Sequence, residues 1–295
     1  MWKEGICEVR FCELRVICSH TAGISAPVGL KSNLNMKNKK IFVRTGLMSW
    51  VRGGFFSLAA VSLAGMAFAA EEKDMKNQHT VLITGANRGL GLEFAKKFQA
   101  AGYEVIGTAR KPDEAAELKK IGAEVMELDV TSNEQIEALA KKLDGRKIDI
   151  LINNAGIFPR TKDREDMMQT YSVNTLGPYF VSEALIPNLK KSDSPRIVNI
   201  SSGLGQLTGG NGGAGGYSFS KAALNMVTRN LHSSHHRDGV IVISVNPGHN
   251  KTDMGGDGAP LEPANTAEKL LELVEALKPD QSGGFWMYDG EKLDW

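Results

Sequence analysis

The sequence predicts an α/β fold: a doubly wound parallel sheet of about seven strands with helices on both faces, built as a single domain over residues 79–295. Three observations predict it. Short apolar runs recur without polar alternation, as strands buried on both faces require. Amphipathic stretches of helical length separate most of those runs. A glycine-rich turn joins the first run to the first amphipathic stretch, the junction at which such sheets bind ligands.

The elements follow in order. Residues 81–83 read as a first buried strand and 90–101 as a helix. Residues 105–106 read as a second strand, and 112–121 as a helix opened by Pro112, whose fixed φ suits a first turn. A third strand covers 125–128. Thr131, Ser132, Asn133 and Glu134 then form a capping box that opens the next helix. Further strands are expected at 148–152, 197–200, 240–245 and 285–287, and further helices at 217–232 and 264–277. The segment 209–216 is almost all glycine and reads as a mobile loop.

Charge and cysteine usage narrow the function. The formal net charge of the 295 residues is +1, unevenly spread: residues 1–70 hold nine basic side chains against three acidic ones. The remainder is mildly acidic, which gives no electrostatic footprint for nucleic acid. Cys7, Cys12 and Cys18 are the only cysteines, so the domain has neither a disulfide nor a thiolate metal site.

The N-terminal residues are read apart from the domain. Lys37, Lys39, Lys40, Arg44 and Arg52 precede 18 residues, 53–70, that carry no charge, and Glu71 and Glu72 follow. Basic, apolar, then Ala67-Phe68-Ala69 is the order of a secretory signal peptide over 36–70, with export to the periplasm as its consequence. The alternative is an uncleaved anchor, the chain's one expected membrane contact, since 18 residues approach a spanning length. Residues 1–35 are then expected to be an over-called extension ahead of a start at Met36. If the leader is unused, the chain is cytoplasmic. Export would carry the chain away from free dinucleotide, so the leader and the reading below pull in different directions.

Thr84-Gly85-Ala86-Asn87-Arg88-Gly89-Leu90-Gly91 is the glycine-rich turn. Glycine lets the backbone turn sharply and approach a pyrophosphate, and the helix N-terminus adds N–H donors and a positive dipole end. The turn therefore predicts a Rossmann-like dinucleotide site. The end of the second strand selects the nucleotide. An acid there would bind the ribose 2′-OH of NAD. Thr108-Ala109-Arg110-Lys111 stands in its place. Arg110 suits a 2′-phosphate, with Arg88 in reach, so NADP is favoured over NAD.

These residues resemble the short-chain dehydrogenases/reductases, in the compact branch with TGxxxGxG spacing. The resemblance runs from about residue 79 onward through several motifs in order. Asp129-Val130 is similar to the family's adenine-contacting position. Asn153-Asn154-Ala155-Gly156 resembles the NNAG element, of which Asn153, Ala155 and Gly156 are expected at the cofactor. Asn174 matches the catalytic asparagine, and Ser202, the second serine after the fifth strand, the catalytic serine. Tyr217-Ser218-Phe219-Ser220-Lys221 is the YxxxK motif. Asn246-Pro247-Gly248, followed by Lys251-Thr252-Asp253, is similar to the nicotinamide-side loop, with Pro247, Gly248 and Thr252 expected at the cofactor. Within the family, the ending Tyr288-Asp289-Gly290 resembles carbonyl-reductase-like and C-factor-like members.

The resemblance implies an oxidoreductase that interconverts a carbonyl and an alcohol on a small molecule, as a homodimer or tetramer. Tyr217 would be the general acid/base. Its ordinary pKa of about 10 is too high for neutral exchange. Lys221, one helical turn on, is expected to lower it. Ser202 would hold the substrate oxygen, and Asn174 a water that links Lys221 to solvent.

Taken singly, each residue has a plainer role: Tyr217 a packed aromatic, Ser202 a strand-end hydroxyl, Asn174 a helix cap. Ser202 and Tyr217 are 15 residues apart, longer than the family's usual interval, and the excess falls in the glycine-rich loop. His249 and Asn250 stand where apolar residues usually border the nicotinamide. His232, His235 and His236 read as a solvated helix terminus, and no metal is expected. The rival function is a dinucleotide-sensing or signalling protein with little turnover.

Overall fold

The computed structural model describes residues 79–160, 163–208 and 213–295, together with two short N-terminal strands. The chain divides into two compact units, Met1–Lys73 and Asp74–Trp295. In the first, β1 (Cys7–Glu8) pairs antiparallel with β2 (Phe42–Val43), Cys7 opposite Val43. The leader, the anchor alternative and the over-called start otherwise lie outside the described residues. No described helix is long and apolar enough to cross a membrane.

The second unit is an eight-stranded sheet. Its strands are β3 (Thr80–Ile83), β4 (Glu104–Ala109), β5 (Glu124–Glu127), β6 (Ile150–Asn153), β7 (Arg196–Ile200), β8 (Ile241–Asn246), β9 (Phe285–Met287) and β10 (Lys292–Leu293). They lie in the order β10-β9-β8-β7-β6-β3-β4-β5. β3 to β9 run parallel, as expected, while β10 turns back antiparallel on β9, Leu293 opposite Phe285. That edge strand escaped the sequence pattern because two residues show no period.

Strand residues alternate between two cores. Val81, Ile83, Ile150, Ile152, Val198, Ile243 and Val245 face one side. There they meet Phe94 and Phe98 of α1 (Gly89–Ala100), Leu118 of α2 (Ala116–Lys120) and Leu270 and Val274 of α7 (Pro263–Ala276). Leu82, Leu151, Ile197 and Val242 face the other. They meet Ile136 and Leu139 of α3 (Asn133–Lys142), Val181 and Leu185 of α5 (Gly177–Leu189) and Leu231 of α6 (Gly216–His235). Burial on both faces explains the unbroken apolar runs.

Two local expectations are corrected. Residues 112–121 do not form one helix: Pro112–Glu114 is a 3₁₀ turn, and α2 begins only at Ala116. The expected capping box does not close. Ser132, not Thr131, is the N-cap, and its Oγ accepts from the Gln135 N–H at 3.2 Å. Gln135 Oε1 accepts from the Asp129 N–H at 2.6 Å rather than from the N-cap, so it holds the site-facing loop. Between β6 and β7, α4 (Arg164–Tyr171) runs through a π turn (Ser172–Leu176) into α5.

A buried polar layer crosses the second face. Asn153 Nδ2 donates to Asn199 Oδ1 at 2.8 Å and to Ser182 Oγ at 2.9 Å. Asn199 Nδ2 donates to Thr228 Oγ1 at 2.9 Å, and Thr228 shares a hydrogen bond with Ser244 at 2.7 Å.

Candidate active site

The chain leaves β5 on one side of β3 and resumes with β6 on the other, which opens a crevice at their carboxyl ends. Thr84 ties its two walls. Its N–H donates to the Ile152 carbonyl, and its Oγ1 accepts from the N–H groups of Asn154 and Ala155, each at 3.0 Å. Asn154 Nδ2 donates to the carbonyls of Thr84 and Gly85 at 2.9 and 3.1 Å.

A cavity of about 740 Å³ lies here. Of the residues expected at a cofactor, Gly85, Asn87, Arg88, Gly89, Leu90, Gly91, Arg110, Asp129, Val130, Ala155, Gly156, Tyr217, Lys221, Pro247 and Thr252 line it. The donor set fits a dinucleotide. α1 has no side-chain cap, so its first N–H groups are left to a ligand. A Cβ on Gly85 would stand 3.0 Å from Ala155 Cα, and one on Gly91 would lie 2.5 Å from Asn154 Nδ2. Only glycine permits that closeness.

Asn153 and Gly248 do not line the cavity. Asn153 is 2% exposed and belongs to the polar layer, because successive strand residues point to opposite sides and Ile152 already faces the first core. Gly248, at φ 71°, turns the loop that presents Pro247 and Thr252. Asn154, the next residue along, lines the cavity and was not expected to. Neither were Lys111 and Glu114, which form an ion pair at 2.9 Å beside Arg110. An acid therefore stands near the nucleotide end after all, held by its own lysine. Arg88 likewise pairs with Asp253 at 3.1 Å. Burial pulls the Asp129 carboxyl up, but hydrogen bonds from Thr131 and the Arg110 charge leave it below the usual carboxylate range.

The four expected catalytic residues converge. Ser202 stands near enough to the Tyr217 hydroxyl to favour its ionised form, despite the long intervening loop. Ser202 caps the turn Gly203–Gly205, its Oγ accepting from the Leu204 N–H at 3.1 Å. Ser201, which lines the cavity where Ser202 does not, is held by another partner: its hydroxyl donates to Asn225 Oδ1 at 2.6 Å. Lys221 is 4% exposed, and its Nζ donates to the Ile200 carbonyl at 2.7 Å. Asn174, in the π turn, accepts from the Ile157 N–H and donates to the Ile157 carbonyl, both at 2.9 Å, and to Ser220 Oγ at 3.1 Å. One Oδ1 lone pair remains, beside the backbone of Gly156. π turns gather at functional sites because they re-aim side chains within a helix.

The electrostatics differ from expectation at one point. Lys221 stands 5.7 Å from the centre of the Tyr217 ring, over its face rather than at its hydroxyl. Its charge is not among the causes acting on Tyr217. Burial pushes the tyrosine up, the Ser202 hydrogen bond opposing. Burial also pushes Lys221 down from 10.5 to about 7. Below about pH 7 the folded and unfolded chains both hold that proton, and the buried charge is a cost. Between about 7 and 10.5 only the unfolded chain holds it, so this group's contribution to stability rises with pH. Lys221→Met is therefore expected to melt higher than wild type below pH 7, with an advantage that shrinks as pH rises. Calorimetric scans of both proteins between pH 6 and 9 check this.

His249 and Asn250 serve the loop itself. His249 Nε2 is 2.8 Å from the Gly255 carbonyl, and the buried Asn250 holds Pro247 and Thr266. His232, His235 and His236 contact Ser282, Glu183 and the end of α6. Among the described residues no three acidic, histidine or cysteine groups gather as a metal would need.

A family model described as short chain dehydrogenase matches residues 79–260. The chain belongs to the short-chain dehydrogenase/reductase family. Two solved reductases resemble this dehydrogenase/reductase closely in fold. Carbonyl reductase Sniffer of D. melanogaster is 29% identical with a TM-score of 0.71, covering 74% of this chain and 100% of its own. The NADPH-bound carbonyl reductase from chicken fatty liver is 32% identical with a TM-score of 0.69, covering 74% and 99%. Among curated relatives, C-signal of Myxococcus xanthus is 34% identical over 166 residues, 54% of this chain and 100% of its own. This short-chain dehydrogenase/reductase is an oxidoreductase by family, of the carbonyl-reductase-like kind.

Proposed function

We propose that the protein interconverts a carbonyl and an alcohol with NADP(H), Tyr217 acting as general acid/base. One observation carries the reading: Tyr217 and Lys221, one helical turn apart, line the same cavity as the glycine-rich turn. The NADPH named in the chicken reductase supports the choice of nucleotide.

When bound, NADPH supplies hydride to the carbonyl carbon. The chain's own residues handle the oxygen. Ser202 donates to it as charge develops there. Tyr217 delivers the proton, a step for which its raised pKa keeps the hydroxyl protonated at neutral pH. Lys221 holds the Tyr217 ring in place through its face and is itself close to titrating near pH 7. Asn174 fixes Ile157 beside Gly156, and its remaining lone pair is where a water could join Lys221 to solvent.

NADPH oxidation across a panel of aldehydes and ketones tests the reading, and no turnover of any of them would end it. The nucleotide has its own test. Arg110 is exposed at the end of β4 and lines the cavity, so Arg110→Asp is expected to lower kcat/KM for NADPH relative to NADH by about tenfold or more. An unchanged ratio counts against NADP. The similarity to C-signal favours a second reading, a dinucleotide-sensing or signalling protein with little turnover. It predicts tight NADPH binding with no oxidation by the panel.

A further inference from the structure

Phe158 and Arg160 follow the Asn153–Gly156 element and are used by nothing above. The Phe158 ring stacks on Tyr217, centroids 4.3 Å apart and planes 29° from parallel. Arg160 Cζ stands 5.2 Å from the centre of the Phe158 ring. Its Nη2 reaches the Met254 carbonyl at 3.5 Å, on the loop after β8. Neither Phe158 nor Arg160 lines the dinucleotide cavity, although Ile157, Tyr217 and Met254 do. The pair flanks the reacting hydroxyl without being spent on the cofactor.

Arg160, like Arg110, has no carboxylate partner among the described residues, unlike three other cations of the site loops. Arg88 pairs with Asp253, Lys111 with Glu114 and Lys251 with Glu262. No carboxylate among the described residues pairs with Arg160. A guanidinium offers five donors in a planar fork, and only one long contact occupies this one. The aromatic ring orients it and removes part of its hydration, which strengthens what it offers to an anion. One ring separates it from Tyr217, and that sets the spacing.

We propose that Arg160 is a specificity-determining residue that pairs with a carboxylate of the substrate. The substrates are then carbonyl compounds whose acid group stands about a ring's width from the reacting carbon. This rests on the carbonyl–alcohol reading above.

The experiment compares 4-carboxybenzaldehyde with its neutral methyl ester in wild type, Arg160→Gln and Arg160→Lys. The glutamine variant is expected to raise KM for the acid about tenfold, equivalent to about 1.4 kcal/mol, with kcat little changed. The ester should be unaffected, and lysine should restore part of the loss because it keeps the charge without the fork. Equal effects on acid and ester would overturn the proposal. Titration calorimetry with 4-(hydroxymethyl)benzoate, in the presence of NADP⁺, needs no turnover. Weaker binding to Arg160→Gln than to wild type supports the anion site even if no aldehyde is reduced, in which case only the carbonyl–alcohol reading fails. Equal binding, or none to wild type, overturns the anion site.

Discussion

Tyr217→Phe is expected to lower turnover by at least about 10²-fold while NADPH binds as before. The substitution removes one oxygen and keeps the ring. That ring stacks on Phe158 and takes Lys221 over its face, so the shape of the cavity wall survives. Ser202 still caps its turn through Leu204. The change thus separates proton delivery from architecture. Fluorescence titration with NADPH alongside steady-state rates checks both halves. Undiminished turnover would take Tyr217 out of the mechanism, and lost binding would make it a packing residue.

Gly91→Ala is expected to fail in the opposite way, with the cradle lost and the acid/base intact. Its Cβ would overlap the Gly85 carbonyl oxygen and press on Asn154 Nδ2. Asn154 cannot yield cheaply, because that nitrogen holds the carbonyls of both Thr84 and Gly85. Overpacking of this kind costs about 1–3 kcal/mol, or several degrees of Tm in a domain of this size. NADPH affinity should fall by about tenfold or more if the displaced backbone is, as proposed, the turn that faces the phosphates. Gly258→Ala is the control: nothing lies within 4 Å of its Cβ position, and both readouts should stay at wild-type values. Normal affinity in Gly91→Ala would mean that the turn does not hold the dinucleotide.

Much of this architecture was legible because it follows from period and composition. The apolar runs gave the seven parallel strands, since in all but the edge strand β5 burial on both faces leaves little polar alternation to confuse them. The glycine turn was legible because close approach demands glycine. Orientation within a strand end was less so. Asn153 and Asn154 are adjacent identical residues, and only the pleat decides that the first joins the interior while the second lines the cavity. Glu114 was read as part of a helix, whereas the 3₁₀ turn at Pro112 brings it to the cavity with Lys111. The expected effect of Lys221 on Tyr217 assumed a charge near the hydroxyl. A four-residue spacing fixes a shared helix face but not which part of a ring the ammonium meets. The stack from Arg160 through Phe158 to Tyr217 joins positions nearly sixty residues apart, and no local pattern announces it.

The amide and hydroxyl layer across β6, β7 and β8 has a consequence for assembly. Apolar strands rich in valine and isoleucine tolerate a slipped partner, since one branched side chain packs much like another. Asn153 and Asn199 do not. A slip of one residue would turn both to the opposite face, away from Ser182 and Thr228. Each buried polar group left without a partner costs about 1–3 kcal/mol. The layer therefore acts as a register lock that closes only when α5 and α6 have docked on correctly paired strands. Since α6 also carries Tyr217 and Lys221, the proposed catalytic pair and the lock are completed by the same docking event.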